Sequence, residues 1–188
     1  MNITKSLAVL LALVLLVPML FVPANALEPL GHNVTLSHSA VDAGQKFEVL
    51  VSLTGYTAQA AANDPIRGLQ IDIQGIDQEL LDVVSYESLI PADGAASNTA
   101  SYNAATKIVR LLYVKTSGTL AAPCENVFRV VFRLKEDVTS HGVLTLPMTV
   151  KIQTASKQIT QTSQITLDYG IHQGITSLEI SALPEMLS

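Results

Sequence analysis

The chain has 188 residues, with eleven Lys and Arg against sixteen Asp and Glu, one cysteine and no tryptophan. A formal net charge of −5 without basic clusters argues against nucleic acid and anionic membrane surfaces as partners. A lone cysteine, Cys124, rules out an intrachain disulfide, so the fold must rest on an apolar core, which a chain of this length can build. That thiol is expected to be buried and inert, or else paired with another chain.

Residues 1–26 read as a secretory signal peptide. Lys5 and the amino terminus form a short positive region, Leu7 to Val22 is apolar apart from Pro18, and Ala24-Asn25-Ala26 is a small-x-small cleavage site. A retained membrane anchor is the alternative, although the run is short for a bilayer span and is broken by Pro18 and Pro23. No cysteine follows the site, so a lipoprotein anchor is not expected. Cleavage leaves 162 residues with ten basic and sixteen acidic side chains, a single secreted domain with no membrane segment.

The remainder reads as strands separated by turns. Val34 and Leu36 alternate with Thr35 and Ser37, and Asp42-Ala43-Gly44 makes a turn. Phe47, Val49, Val51 and Leu53 alternate with Glu48, Leu50 and Ser52, and Tyr56 to Pro65 reads as a small-residue loop. Leu69, Ile71 and Ile73 alternate with Gln70, Asp72 and Gln74, the period-two pattern of a strand with one buried face. A turn at Gly75–Gln78 leads to a second apolar run, Leu80 to Ser85. The nearest helix candidate, 78–87, carries Val83-Val84, and β-branching favours a strand. Residues 90–106 are rich in Ala, Ser, Asn, Asp and Gly and read as a loop. Strands follow at 107–115, 128–134, 143–153 and 158–168, with turns at Ser117-Gly118 and Ser140-His141-Gly142. Eight or nine short strands without amphipathic helix indicate an all-β sandwich or barrel. The domain is expected over 27–174, with a short tail at 175–188.

Signals for enzymatic chemistry are poor. His32, His38, His141 and His172 are scattered without metal-ligand spacing, and no nucleophile elbow or phosphate-binding glycine loop occurs. Asp72 with Asp77, or Glu79 with Asp82, could be paired carboxylates, but their places on a strand face and in a turn favour solvated surface charge. No closely spaced Asp/Asn calcium loop is present. The chain is therefore expected to be non-catalytic, with no cofactor and no metal. The sequon Asn33-Val34-Thr35 matters only where exported proteins are glycosylated.

Several segments in order carry a family resemblance. They are Ala43-Gly44-Gln45 leading into Phe47–Leu53, the strand at 68–74 with the run at 80–84, Lys107 to Gly118 ending in Ser-Gly, and Val127-Phe128-Arg129-Val130-Val131-Phe132-Arg133-Leu134. This succession resembles cohesin domains, the receptor modules that bind dockerins in bacterial polysaccharide-degrading complexes. The resemblance spans about 33–174 and implies a jelly-roll β-sandwich of eight or nine strands. It departs from the family where Gly68 and Gln70 stand at positions of the Asn and Asp on the third strand, and where Lys115 stands at an exposed Glu. The turn Gly75–Gln78 also lacks the common Tyr-Asp-Pro.

The resemblance also makes 68–74 and 107–115 neighbours in one sheet. Leu69, Val109, Leu111 and Tyr113 then face the core, while Gln70, Asp72, Ile108, Arg110, Leu112 and Val114 face outward. An exposed apolar patch around an arginine is a feature of protein contacts. The alternative is that part of 91–106 covers this face. Tyr102 is a candidate at the rim, and Lys115 and Gly118 lie at the strand end where cohesins meet their partners. The implied partner is a dockerin-bearing extracellular protein, plausibly a glycoside hydrolase. Two further readings are a polysaccharide-binding module, which five scattered tyrosines and no tryptophan do not favour, and a structural or adhesive surface domain.

Overall fold

The computed structural model describes residues 28–92 and 94–170. The expected signal peptide and the 175–188 tail lie outside these residues.

Among the described residues, ten strands form two facing sheets, accompanied by one short helix. Strands β1 (Gly31–Leu36), β3 (Lys46–Thr54), β8 (Asn126–Leu134) and β5 (Leu81–Ser88) make a four-stranded sheet in the order β1-β3-β8-β5. Strands β2 (Ala40–Val41), β10 (Gln158–Tyr169), β9 (Gly142–Thr154), β4 (Ile66–Ile73), β7 (Ile108–Val114) and β6 (Ser97–Asn103) make the other, in the order β2-β10-β9-β4-β7-β6. All neighbours are antiparallel except β2 and β10, which pair in parallel through Asp168 and Tyr169. The all-β sandwich read from the sequence is therefore the observed architecture.

The alternating residues sort as their hydrophobicity demands. Phe47, Val49, Val51, Phe128, Val130 and Phe132 from one sheet meet Leu69, Ile71, Ile73, Val109, Leu111, Tyr113, Val150 and Ile152 from the other in a single core. Phe47 and Phe132, cross-strand neighbours, stack with ring centroids 5.4 Å apart. A bulge near Ser52 lets both Val127 and Phe128 point inward, breaking the simple alternation expected there. Cys124 is buried in the same core.

Two segments differ from the sequence reading. The loop expected at 56–65 contains helix α1 (Ala58–Asn63), whose first turn is capped by Thr57 Oγ1 accepting from the Ala60 amide at 3.2 Å. The loop expected at 90–106 contains β6, which pairs along the whole of β7. Its residues Ser-Asn-Thr-Ala-Ser-Tyr-Asn carry little apolar surface, because the edge strand has only one neighbour and half its side chains face water. With β6 and the two-residue β2, the strand number exceeds the expected eight or nine.

The outer face of the four-stranded sheet is laced with ion pairs. Arg133 meets Asp82 at 2.7 Å, and Arg129 pairs with Glu87 and lies 4.0 Å from Glu48. These exposed pairs add little stability but keep the face polar.

Candidate functional site

The outer face of the six-stranded sheet is organised by β4 and β7. Their registered pairs Gly68–Val114, Gln70–Leu112 and Asp72–Arg110 all point away from the core. On the far side of β4, β9 continues the same rows with Gln153, Lys151 and Thr149. On the far side of β7, β6 continues them with Ser97, Thr99 and Ser101. Cross-strand partners share a face, so each row is a line of side chains across the sheet.

At the centre lies an ion pair. Arg110 Nε donates to Asp72 Oδ1 at 2.6 Å and Arg110 Nη2 to Asp72 Oδ2 at 2.8 Å, a two-armed fork on one carboxylate. Gln70 Nε2 adds a third donor to Asp72 Oδ2 at 2.7 Å. Under these covers Asp72 is 5% exposed although its strand face is the wet one. The expectation of a solvated surface carboxylate is therefore corrected, since two neighbouring side chains take the place of water. Arg110 keeps 43% of its side chain exposed, and the hydrogen bond it donates to Asp72 holds its guanidinium further toward the charged form.

Apolar groups flank this pair along β7. Ile108 and Leu112 are half-buried and Val114 is 36% exposed. Next to them Gly68 leaves a shallow groove of about 200 Å³, walled by Leu112, Val114, Gln70, Lys151, Gln153 and Gln158. The groove exists because the position lacks a side chain: a Cβ on Gly68 would sit 3.3 Å from the Gln153 Cβ. The segment 91–106 does not cover the face. Its β6 lies alongside β7 and widens the sheet instead.

Tyr102 is not on this face. It pairs with buried Val109 and so faces the sandwich interior, where its hydroxyl accepts from Gln78 Nε2 at 3.0 Å. Its expected place at the rim is corrected on that geometry. Lys115 and Gly118 do come together beyond the end of β7. The Lys115 amide donates to the Arg67 carbonyl at 2.8 Å, and Gly118, at φ +80°, lies against the Lys115 chain, with an added Cβ 3.3 Å from Cε. Sequence reasoning missed Lys151, Gln153 and Gln158, which reach the groove through β9 and β10. Their outward phase is legible in the alternation of 143–153 and 158–168, but the adjacency of β9 to β4 is not.

Among the described residues, no group of three or more His, Cys, Asp or Glu could hold a metal ion. The carboxylates considered as pairs are occupied separately: Asp72 by Arg110, Asp82 by Arg133, and Asp77 by the Glu79 amide at 2.9 Å. His32 is held between the sheets by Gln161 and Ser163, each at 2.9 Å. No described residue on the outer face of the six-stranded sheet is aromatic. Among the described residues no helix is long and apolar enough to cross a membrane.

Comparison with known proteins places the fold. No protein-family model matches the chain, and no curated protein matches it by sequence. Solved structures do match. The cohesin module of a family 33 glycoside hydrolase from Clostridium perfringens is 12% identical at a TM-score of 0.56, over 75% of this chain and 96% of that one. A type I cohesin–dockerin complex from Clostridium thermocellum matches at a TM-score of 0.51 and 13% identity, over 74% and 94% of the two chains. A type II cohesin domain from the cellulosome of Acetivibrio cellulolyticus matches at 0.52 and 9% identity, over 73% and 94%. The described sandwich has a cohesin-like fold.

Proposed function

We propose that this cohesin-like domain is a secreted, non-catalytic receptor that docks a dockerin-bearing protein on the outer face of β4 and β7, in support of extracellular polysaccharide degradation. The observation that carries the reading is the uncovered face itself. Ile108, Leu112 and Val114 expose apolar surface around a neutralised Asp72–Arg110 pair, on a fold whose Clostridium thermocellum neighbour is a cohesin–dockerin complex. Apolar surface rimmed by polar groups suits a protein contact, and a paired arginine presents its plane without an unbalanced charge. Lys115 and Gly118 extend the contact at one end. Gly68, Gln70 and Lys115 replace the residues that dockerin-binding cohesins place there, so the partner's surface differs in kind: the groove at Gly68 accepts a side chain where those cohesins present one. A sugar-binding role is less well supported, because this face offers no planar aromatic on which a ring could stack.

The test is capture of the host's exported proteins on immobilised residues 27–188, with calcium and with chelator, and identification of what binds. Calcium-dependent capture of a dockerin-bearing protein is the expected result. Leu112→Asp, at the centre of the face and outside the core, should abolish it, since an interface of this type buries roughly 1,200–2,000 Å². Capture of polysaccharide alone, or capture undiminished by Leu112→Asp, would overturn the reading.

A further inference from the structure

Among the described residues, β10 (Gln158–Tyr169) is paired along its full length on one side only. β9 covers one side of this strand through twelve registered pairs without a bulge. On the other side β2 reaches only Asp168 and Tyr169, and among the described residues no strand lies beside Gln158 to Leu167. Such an edge presents unpaired amide and carbonyl groups, and proteins ordinarily guard it with charge, proline or a bulge. Here the ten residues are Gln-Ile-Thr-Gln-Thr-Ser-Gln-Ile-Thr-Leu, with none of those guards. Of the other edges, β5 carries a bulge at Val83 to Ser85 and the charges of Asp82 and Glu87, while β1 and β6 are likewise uncharged but shorter, at six and seven residues.

The edge also has room beside it. An open groove of about 580 Å³ runs between it and β1, lined by Leu30, His32, Gln161, Thr162 and Ser163 and bridged where His32 bonds Gln161 and Ser163. Gln161 and Ser163 are only partly buried, unlike Ile165 and Leu167 further along.

We propose that this edge is a self-association surface, on which two copies of the chain pair β10 with β10 in antiparallel register about a two-fold axis at Thr162. The sequence is self-complementary in that register. Thr160 faces Gln164 and Gln158 faces Thr166 on the outer side, while Ile159 faces Ile165 on the inner side. No like charges meet, which matters for a chain of net charge −5. The nearest charged residues at the two ends, Lys157 of one copy and Asp168 of the other, have opposite signs. The pairing stops where β2 begins. An isologous contact of this kind closes on itself as a dimer. It makes one continuous sheet, with the Asp72–Arg110 faces of both copies on the same side, so the dimer is a bivalent receptor if those faces bind a partner. Self-association stands independently of what that partner is.

Sedimentation of residues 27–188, which contain both sheets and the whole core, tests the pairing. Wild type should sediment at twice the chain mass at high concentration and dissociate on dilution. Thr162→Lys places two lysines against each other at the axis and should hold the chain at single mass throughout with unchanged circular dichroism. Thr145→Lys adds the same charge to the same face one strand inward and should leave the dimer intact. Wild type at single mass at every concentration, or a dimer indifferent to Thr162→Lys, overturns the proposal. Slow exchange in such a monomer at the amides of 160, 162, 164 and 166, which lie on the β2 side of the strand like those of Asp168 and Gly170, would assign the edge to the chain's own residues outside the sandwich, which also overturns it.

Discussion

Arg110 covers Asp72 from the neighbouring strand, and the two are unequally exposed: the carboxylate is 5% exposed and the guanidinium side chain 43%. The pair is therefore asymmetric in what each partner loses when the other is removed. Arg110→Met leaves a desolvated carboxylate with Gln70 as its remaining side-chain donor, a change expected to cost about 2–3 kcal/mol. Asp72→Asn leaves an arginine that can turn to water, at about 1 kcal/mol. The double variant should recover most of the Arg110→Met loss. Urea unfolding of all three checks this cycle. It also explains why a charge reversal at Arg110 is a poor probe of partner binding: a second carboxylate beside Asp72 would disturb the sheet, whereas Leu112→Asp and Val114→Asp change the contact surface alone.

Gly68 differs from the turn glycines: its φ lies outside the left-handed region, it follows the irregularity in the β4–β9 register after Ile66, and its role is spatial. Gly68→Ala brings a Cβ to 3.3 Å from the Gln153 Cβ and fills the floor of the groove. The neighbours must give by a few tenths of an ångström, so the stability change should stay within about 1 kcal/mol. If the groove receives a partner side chain, affinity should fall about tenfold, the equivalent of roughly 1.4 kcal/mol. Calorimetric titration of the captured partner against both proteins separates the two effects.

Tyr56 links three segments from inside the core. Its hydroxyl donates to the Leu120 carbonyl at 2.8 Å and accepts from the Ile66 amide at 3.2 Å, and burial pushes its ionisation above the ordinary range. Tyr56→Phe keeps the ring and removes both bonds, stranding two buried backbone groups. The expected cost is about 2 kcal/mol, read as a lowered urea midpoint with an unchanged slope. An unchanged midpoint would mean that water replaces the hydroxyl.

These residues show which parts of the molecule were legible in advance. Alternation put Gln70 with Asp72 on one side of their strand and Arg110 with Leu112 on one side of theirs, because the period of two depends on chain geometry alone; it was the family resemblance that made the two strands neighbours with these sides on one face. It could not show that Asp72 is covered, since that depends on Arg110 being its registered neighbour. β6 was missed for a related reason: an edge strand pays no penalty for Ser, Asn and Ala, so its composition matches a loop. The same omission put Tyr102 at the rim, because without β6 there was no strand phase to turn it inward. That β10 has no neighbour along Gln158 to Leu167 among the described residues is a property of strand order, which no local pattern records.

Asp64 supplies the pH dependence. Its carboxylate follows helix α1 and holds the β9–β10 turn, accepting from Ser156 Oγ at 2.7 Å, the Ser156 amide at 2.9 Å and Thr154 Oγ1 at 2.8 Å. The Ser156 hydroxyl is the main cause of a lowered folded-state pKa, against an ordinary 3.8. Because the folded value is depressed, this contribution is complete above the ordinary carboxylate range and is lost as pH falls through the folded value. Asp64→Asn removes the titration and one acceptor oxygen, so its urea midpoint should lie below wild type at neutral pH. The gap should close as pH falls from the ordinary carboxylate range down through the lowered folded-state value, where the wild-type carboxyl takes up its proton. A gap that stayed constant down to pH 2 would mean the loss is geometric and that ionisation of Asp64 does not contribute.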